Sequence, residues 1–264
     1  MSDDRLITSL SNDTVKAVRA LHMRKEREAT GLFLAEGLKF IGEALDQGRT
    51  PRTLLVGMEA RPHPLLDRAR AETIRSGGEV VTVTHPILEK ISRRENPQTV
   101  LAVFDQVYTP LSALAPASAP CWVALEQVRD PGNLGTIIRT ADAAGCGGVI
   151  LIGDCVDPYS VEAVRATMGS VFAVAITRVT PAAFLAWRET WPGSVIGTRL
   201  DGAVGYREAS VQKPALILMG NEQAGLTDTL AAACDVNVKI PMRGRADSLN
   251  LAIATGIMVY AVTD

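Results

Sequence analysis

Three segments of the 264-residue sequence gather residue types that can form a ligand site in an enzyme. The first, RDPGNLGTIIRTADAAG at 129–145, opens on a Pro131-Gly132 turn, offers Asn133 as a helix N-cap and stops at Gly145. Leu134, Ile137, Ile138, Ala141 and Ala144 follow helical spacing toward a core, which leaves Thr136, Arg139 and Thr140 on another face. An Arg beside a capped helix mouth anchors phosphate or carboxylate. Alternatively, Arg139 pairs with Asp142, a surface contact worth under about 1 kcal/mol. In the second segment, LILMGNEQAGL at 216–226, a buried strand runs into Gly220-Asn221-Glu222 and Gly225 closes the turn. Glycine there lets backbone approach a ligand. Glu222 at the mouth of an apolar strand has a raised pKa unless paired, which suits a base or an Arg partner; the other reading is a helix-capping Glu. The third, KIPMRGRADSLNLAIATGIMVYA at 239–261, has an exposed Arg243-Gly244-Arg245 turn and Ser248 as a helix cap. The helix that follows is apolar nearly all round, so it is buried in the domain or in a subunit interface. Asn250 in its first turn needs polar partners, from a ligand or a neighbouring loop.

These loops need a scaffold, and the flanking sequence describes one. Apolar strands are expected at 121–128, 148–152, 171–177, 194–198, 215–219 and 236–240, with helices at 133–144, 159–168, 181–189, 227–233 and 248–260. Short apolar strands alternating with helices predict an α/β fold with a mostly parallel sheet covered on both faces, whose ligands gather at the carboxyl ends of the strands. Before it, YTPLSALAPASAP at 108–120 reads as a linker, because its prolines suit neither helix nor central strand. The division is then 1–107, linker 108–120, and 121–264. In the first part, Asn12 or Asp13 caps a helix through Val15, Val18 and Leu21. An apolar run at 32–35, a helix at 37–47, a strand at 54–56, a helix at 64–76 and strands at 80–83 and 100–104 follow, making a small α/β module.

Composition excludes several classes. Hydrophobic residues at 47% and charged residues at 21% describe a folded chain. No apolar run approaches the roughly 20 residues of a membrane span, and MSDDRLITSL lacks the features of a secretory signal, so a cytoplasmic protein without a membrane partner is expected. The cysteines (121, 146, 155, 234) form no CxxC pair and lie far in sequence from the histidines, so no metal site is expected. Phosphate-loop, dinucleotide, zinc-protease and esterase signatures are absent. With 27 Lys+Arg against 29 Asp+Glu the net charge is −2, which on average argues against nucleic acid. Residues 1–106 hold 16 basic and 15 acidic side chains and the remainder 11 and 14.

NLGTIIRTADAAG, MGNEQAGL, and IPM followed by SLNLA, in this order at the C-terminal end, resemble the motifs of the SpoU (TrmH-like) RNA methyltransferases of the SPOUT superfamily. The similarity spans 121–264. FLAEGLKFIGEAL and ENPQTVLAVF resemble, more weakly, the ribosomal-protein-L30e-like substrate-binding domain that often precedes it. The resemblance implies a C-terminal trefoil knot, an obligate homodimer, and S-adenosyl-L-methionine-dependent methylation of a ribose 2′-hydroxyl, with ribosomal RNA ahead of transfer RNA as substrate. By motif position the cofactor lies against Thr198, Gly220, Ile240, Met242 and Leu249, and Asn133, Arg139, Glu222, Ser248 and Asn250 form the reaction centre. A guanidinium is hard to deprotonate, so Arg139 is expected to stabilise phosphate or oxyanion while Glu222 holds its geometry.

Arg24, Arg27, Arg93, Arg94, Arg243 and Arg245 fall in segments expected to meet RNA, so local placement outweighs the average charge. Two departures from the family pattern are mild: Asn221 replaces a small residue, and Thr167 stands in VRATMGSVF where Ser is more frequent. A non-catalytic RNA-binding or ribosome-assembly homologue is the alternative from another class. Methylation of a base nitrogen is a third reading, which the motif around Asn133 and Arg139 disfavours.

Overall fold

The alternation of short apolar runs with amphipathic stretches resolves, in the computed structural model, into two sheets with helices packed on them. The structure describes residues 5–201 and 204–263. Its contacts divide the chain into one unit of Met1–Gln106 with Tyr159–Phe172, and a second of Val107–Pro158 with Ala173–Asp264.

The first unit contains β1 (Arg5–Ile7), α1 (Asp13–Ala20), α2 (Arg24–Thr30), β2 (Leu32–Glu36), α3 (Leu38–Asp46), β3 (Thr53–Gly57), α4 (Pro64–Arg75), β4 (Glu79–Val83), α5 (His85–Ser92) and β5 (Val100–Asp105). The sheet order is β1-β4-β3-β5-β2; β1, β4 and β3 run parallel, whereas β5 is antiparallel to both β3 and β2. Asn12 caps α1 as expected, its side chain accepting from the Thr14 amide at 3.0 Å. Three elements were not anticipated. β1 is an edge strand too short to show alternation, α2 carries no apolar periodicity, and α5 lies in sequence that had been given no element. The stretch 159–172 contributes Tyr159 and Phe172, whose rings lie 4.7 and 5.8 Å from Phe33. Phe172 also meets Phe104 edge-on at 4.9 Å, so residues expected to belong to the second domain complete the core of the first unit.

The second unit is built on β6 (Cys121–Glu126), α6 (Pro131–Ala143), β7 (Gly148–Ile152), β8 (Ala175–Val179), α8 (Pro181–Arg188), β9 (Val195–Thr198), β10 (Val204–Gly205), β11 (Ala215–Met219), α9 (Asp228–Ala232), β12 (Val236–Lys239) and α10 (Leu251–Thr263). The helix between β7 and β8, α7 (Val161–Thr167), is the one that packs in the first unit. All pairings in this sheet are parallel, in the order β10-β12-β9-β11-β6-β7-β8. Strands β6, β7, β9, β11 and β12 match the expected positions within their ends. The strand expected at 171–177 starts instead at Ala175, because residues 170–172 form a single tight turn. Chain order is broken where β11 inserts between β9 and β6 and β12 pairs on the far side of β9. After β12 the chain returns to pack α10 on α6 and against β11. That crossing brings the three chemistry-bearing loops to the carboxyl ends of neighbouring parallel strands.

Candidate functional site

β6 ends at the buried Glu126, and Gln127 takes a left-handed conformation (φ 49°) that turns the chain toward α6. The cap of α6 is Asp130, whose carboxylate accepts from the Asn133 amide at 2.6 Å, with Pro131 as first helical residue. Asn133 is therefore not the cap expected from the sequence. It lies one turn inside the helix, where Pro131 has already fixed the start, and its side chain is free to point outward. Its Nδ2 donates to Glu222 Oε1 at 3.3 Å, and its Oδ1 accepts from Asn250 Nδ2 at 2.9 Å.

The loop after β11 is a tight hairpin-like turn. Asn221 and Gly225 exchange backbone hydrogen bonds of 3.0 and 2.9 Å, with Gly225 at φ +70°. A side chain at Gly220 would run into the backbone of Gly225 and Leu226. The glycine thus serves the chain's own close approach, beside the ligand approach expected of it. Asn221 holds the turn from inside: Oδ1 accepts from the Gln223 and Ala224 amides at 2.9 and 3.1 Å, and Nδ2 donates to the Gln127 carbonyl at 2.8 Å. Where the turn ends, Thr227 donates through both its amide and hydroxyl to Glu126, each at 2.8 Å. Neither Glu126 nor Asn221 was given a role in the sequence, since Glu126 falls inside the apolar strand expected at 121–128 and Asn221 was noted only as a mild departure from the family pattern.

Among the described residues, Glu222 makes no hydrogen bond or ion pair with Arg139. Its carboxylate accepts from the backbone amides of Arg129 (3.1 Å) and Asp130 (3.1 Å) as well as from Asn133. Partial burial alone would push its pKa up, but these hydrogen bonds outweigh it, and the group titrates below the usual Glu range. Glu222 is thus paired, the condition under which no raised pKa was expected, and it matches the helix-capping reading: an ionised acceptor at the N-terminus of α6, where the helix dipole favours negative charge. Arg139 lies six residues beyond Asn133, about 9 Å along the axis, and is exposed. Among the described residues it makes no ion pair with Asp142.

In the third loop, Asn250 rather than Ser248 caps the final helix, accepting from the Ala252 and Ile253 amides at 2.9 and 3.3 Å. The partners that Asn250 needed are these amides and Asn133. α10 is not buried all round: Ile253 and Tyr260 are 55% and 47% exposed.

A cleft of about 200 Å³ opens between the carboxyl ends of β9, β11 and β12. Thr198, Gly220, Ile240, Met242 and Leu249, the whole set expected to hold a cofactor, line it, together with Glu222 and Ser248. Leu249 and Leu200 stand partly exposed at 36% and 68%, apolar surface suited to a flat heterocycle. The Thr198 hydroxyl is committed to the Leu218 carbonyl at 2.9 Å, so recognition here falls to backbone groups and apolar contact. A second, open groove of about 570 Å³, lined by Arg129 and Pro131, shares Asn221, Glu222 and Gln223 with the cleft. Asn133, Asn250 and Arg139 do not line the cleft; the first two join its wall through Glu222, and Arg139 stays apart.

Of the arginines expected to meet RNA, Arg27 is 3% exposed and donates to the Leu21 carbonyl at 2.7 Å. It is a structural residue, because its position on α2 faces the core. Arg24 pairs with Glu28 at 2.7 Å on the surface, Arg93 and Arg94 line a groove of the first unit, and Arg243 and Arg245 are exposed on the third loop. Among the described residues no group of three or more His, Cys, Asp or Glu side chains is arranged to hold a metal ion, and no helix is long and apolar enough to cross a membrane.

Comparison with known proteins sets this geometry beside characterised relatives. Residues 120–260 match the SpoU rRNA Methylase family, and residues 12–102 match the MRM3-like substrate binding domain. The chain is 32% identical to the 23S rRNA (guanosine(2553)-2′-O)-methyltransferase RlmP of Bacillus subtilis, over 96% of this chain and 97% of that one. It is also 32% identical to the 23S rRNA (uridine(2479)-2′-O)-methyltransferase of Streptomyces viridochromogenes, over 97% of this chain and 91% of the relative. The crystal structure of the AdoMet-bound rRNA methyltransferase from Sinorhizobium meliloti superposes with a TM-score of 0.92 at 48% identity, covering 98% of this chain and 97% of that one.

Proposed function

The chain belongs to the SpoU rRNA methylase family, and on that premise we propose that it transfers a methyl group from S-adenosyl-L-methionine to a ribose 2′-hydroxyl of ribosomal RNA, acting as a homodimer. The observation that carries this reading is the convergence of Thr198, Gly220, Ile240, Met242 and Leu249 on one cleft, walled by Glu222 and its partners. The cleft suits the cofactor: it offers strand-end backbone and exposed leucines, and its one cation among the described lining residues, Arg199, is already held by Asp201 and Asp228, so it presents no phosphate cradle that a nucleoside triphosphate would need. When bound, S-adenosyl-L-methionine supplies an electrophilic methyl on a sulfonium.

The chain's own residues then have to orient a hydroxyl and accommodate the charge it develops. Positioning supplies most of the acceleration in such an in-line displacement. Glu222 is ionised and fully occupied as an acceptor, so it fixes the entrance of α6 and the Asn133 amide. Asn250 ties that amide to the start of α10. Ser248 is an exposed residue on the cleft wall. Arg139, with no partner among the described residues, is suited to a phosphate or a developing alkoxide. Since it stands outside its own cleft, the homodimer reading gives it to the partner's site. The exposed Ile253 and Tyr260 of α10, a helix packed on α6, support a second copy docking at this face.

In this reading residues 1–107 hold the RNA, 108–120 link, and 121–264 carry the chemistry; Arg24, Arg93, Arg94, Arg243 and Arg245 contact phosphates. A ribosomal substrate supports the cytoplasmic setting expected from the sequence. Incubation with radiolabelled cofactor and ribosomal RNA, followed by alkaline hydrolysis, tests the reading: a single gap in the ladder is expected, since a 2′-O-methyl blocks cleavage at its own position. Label incorporated without any gap would overturn ribose as the acceptor. Cofactor binding with no label transferred to ribosomal or transfer RNA would favour the non-catalytic homologue.

A further inference from the structure

We propose that a groove between the C-terminal ends of α1 and α5 in the first unit binds the phosphodiester backbone of the RNA, holding it without reading its sequence; this rests on the RNA-methylating function above. The groove measures about 900 Å³ and is lined by Lys16 and Arg19 from α1, Lys90 from α5, and Arg93 and Arg94 just beyond it. Glu89 and Glu95 are the only carboxylates on its walls. Among the described residues, only Lys16 of these cations makes a salt bridge, an exposed one to Asp13 at 3.2 Å.

The fold builds this groove deliberately. Val15, Val18 and Leu21 of the α1 segment share a core with Ile87, Leu88 and Ile91 of α5, which sets the two helices side by side. The His22 ring closes the gap between their ends, with Nε2 2.6 Å from the Ile91 carbonyl. Burial lowers the His22 pKa, so the ring is neutral at pH 7 and Nε2 donates. α5 then stops because Arg93 adopts a left-handed conformation (φ 57°), a position that glycine fills without strain. An arginine kept there turns its own side chain and that of Arg94 out beside Lys90.

Helix C-termini attract cations by themselves, and Arg19 and Lys90 sit in last turns where that effect operates. It does not account for Arg93 and Arg94, which lie past the end of α5, or for Lys16 in an earlier turn of α1. A groove of this volume with five cations on its walls suits an extended polyanion better than a single small ion. Among its described lining residues the one ring is that of half-buried His22, held on the Ile91 carbonyl, so the groove offers phosphate contacts rather than a row of aromatic platforms for successive bases. Contacts of this kind set register and orientation along a structured RNA.

The test uses the full-length protein with ribosomal RNA carrying the target nucleotide. Arg19→Ala/Lys90→Ala/Arg94→Ala removes three cations at positions where alanine is tolerated, and Arg93→Gly removes a fourth while favouring the left-handed backbone. The triple variant is expected to raise the KM for RNA about tenfold or more and to lower the slope of log K against log salt by about 2. Its kcat at saturating RNA and its cofactor affinity should stay at wild-type values, with Arg93→Gly showing a smaller shift in the same direction. Unchanged KM and salt slope in both variants, with wild-type protein methylating the same RNA, would overturn the groove and leave the function standing. If wild-type protein binds this RNA with the groove-dependent slope but methylates no RNA, the groove survives and the proposed function fails.

Discussion

Glu222 looks like a catalytic base in sequence and behaves as a structural anion in space. Its acceptors are taken by two backbone amides and an asparagine side chain, which keep it ionised at neutral pH. A carboxylate whose pKa is lowered on folding stabilises the protein fully above its unfolded value near 4.5, and that stabilisation disappears as pH falls through the folded value. Glu222→Gln should therefore be less stable than wild type at pH 7, with the gap closing below about pH 4.5; thermal unfolding from pH 7 to 3 measures it. The same variant should lose roughly 10- to 100-fold in rate through misplacement of Asn133, with no change in the acidic limb of the pH–rate profile. A shift of that limb would make Glu222 the proton acceptor after all. At this scale the sequence is legible for residue type but not for partner. Asn133 was read as a helix cap and Asn250 as an amide that needs partners, yet nothing in a linear pattern joins positions 133, 222 and 250. Arg27 fails for the same reason: an arginine in a basic, helical stretch looks solvent-facing until the turn of α2 directs it to the Leu21 carbonyl.

At the scale of elements, the loops are held by helix caps, and the caps are where sequence reading slipped. Asp130 and Asn250 take the places assigned to Asn133 and Ser248, each time because a competing cap residue stood within three positions. Strand and helix positions were read with small errors at their ends, since apolar runs of four to six residues between turn signals leave little choice. Short or edge elements such as β1 and β10 carry too little pattern to be seen. Asn250 performs two tasks that substitution can separate. Asn250→Asp keeps a good N-cap for α10 but cannot donate to Asn133, so it should retain the wild-type melting temperature within a degree or two and lose most activity. Asn250→Ala should lose activity and, in addition, about 0.5–2 kcal/mol of stability. Equal destabilisation of the two variants would show that the cap is not the stabilising contact. Gly220 belongs to the same scale, as the position where two backbone segments meet too closely for any side chain.

For the whole molecule, the parallel order of the second sheet and its ligand end could be expected from alternation alone. The reversal around β9, β11 and β12 could not, because it depends on long-range crossing that local pattern does not encode. The distance of Arg139 from its own cleft also belongs here. If the homodimer shares Arg139 between subunits, mixing Arg139→Ala with Asn250→Asp chains should restore about a quarter of wild-type activity, since random exchange leaves half the dimers mixed, each with one complete site. Neither parent alone should be active. No recovery after demonstrated subunit exchange would return Arg139 to its own chain's site.

The stretch Tyr159–Phe172, which leaves the second sheet to finish the aromatic core around Phe33 and Phe104, has a consequence for how the protein is made. A ribosome releases the chain from its N-terminus, so the segment up to Gln106 emerges well before the aromatic side chains at 159 and 172 that complete its core. Until residue 172 clears the exit tunnel, Phe33, Phe40 and Phe104 lack the partner ring that covers them. The core of the first unit can thus close only once the chain has been translated through Phe172, well into the strands of the second sheet.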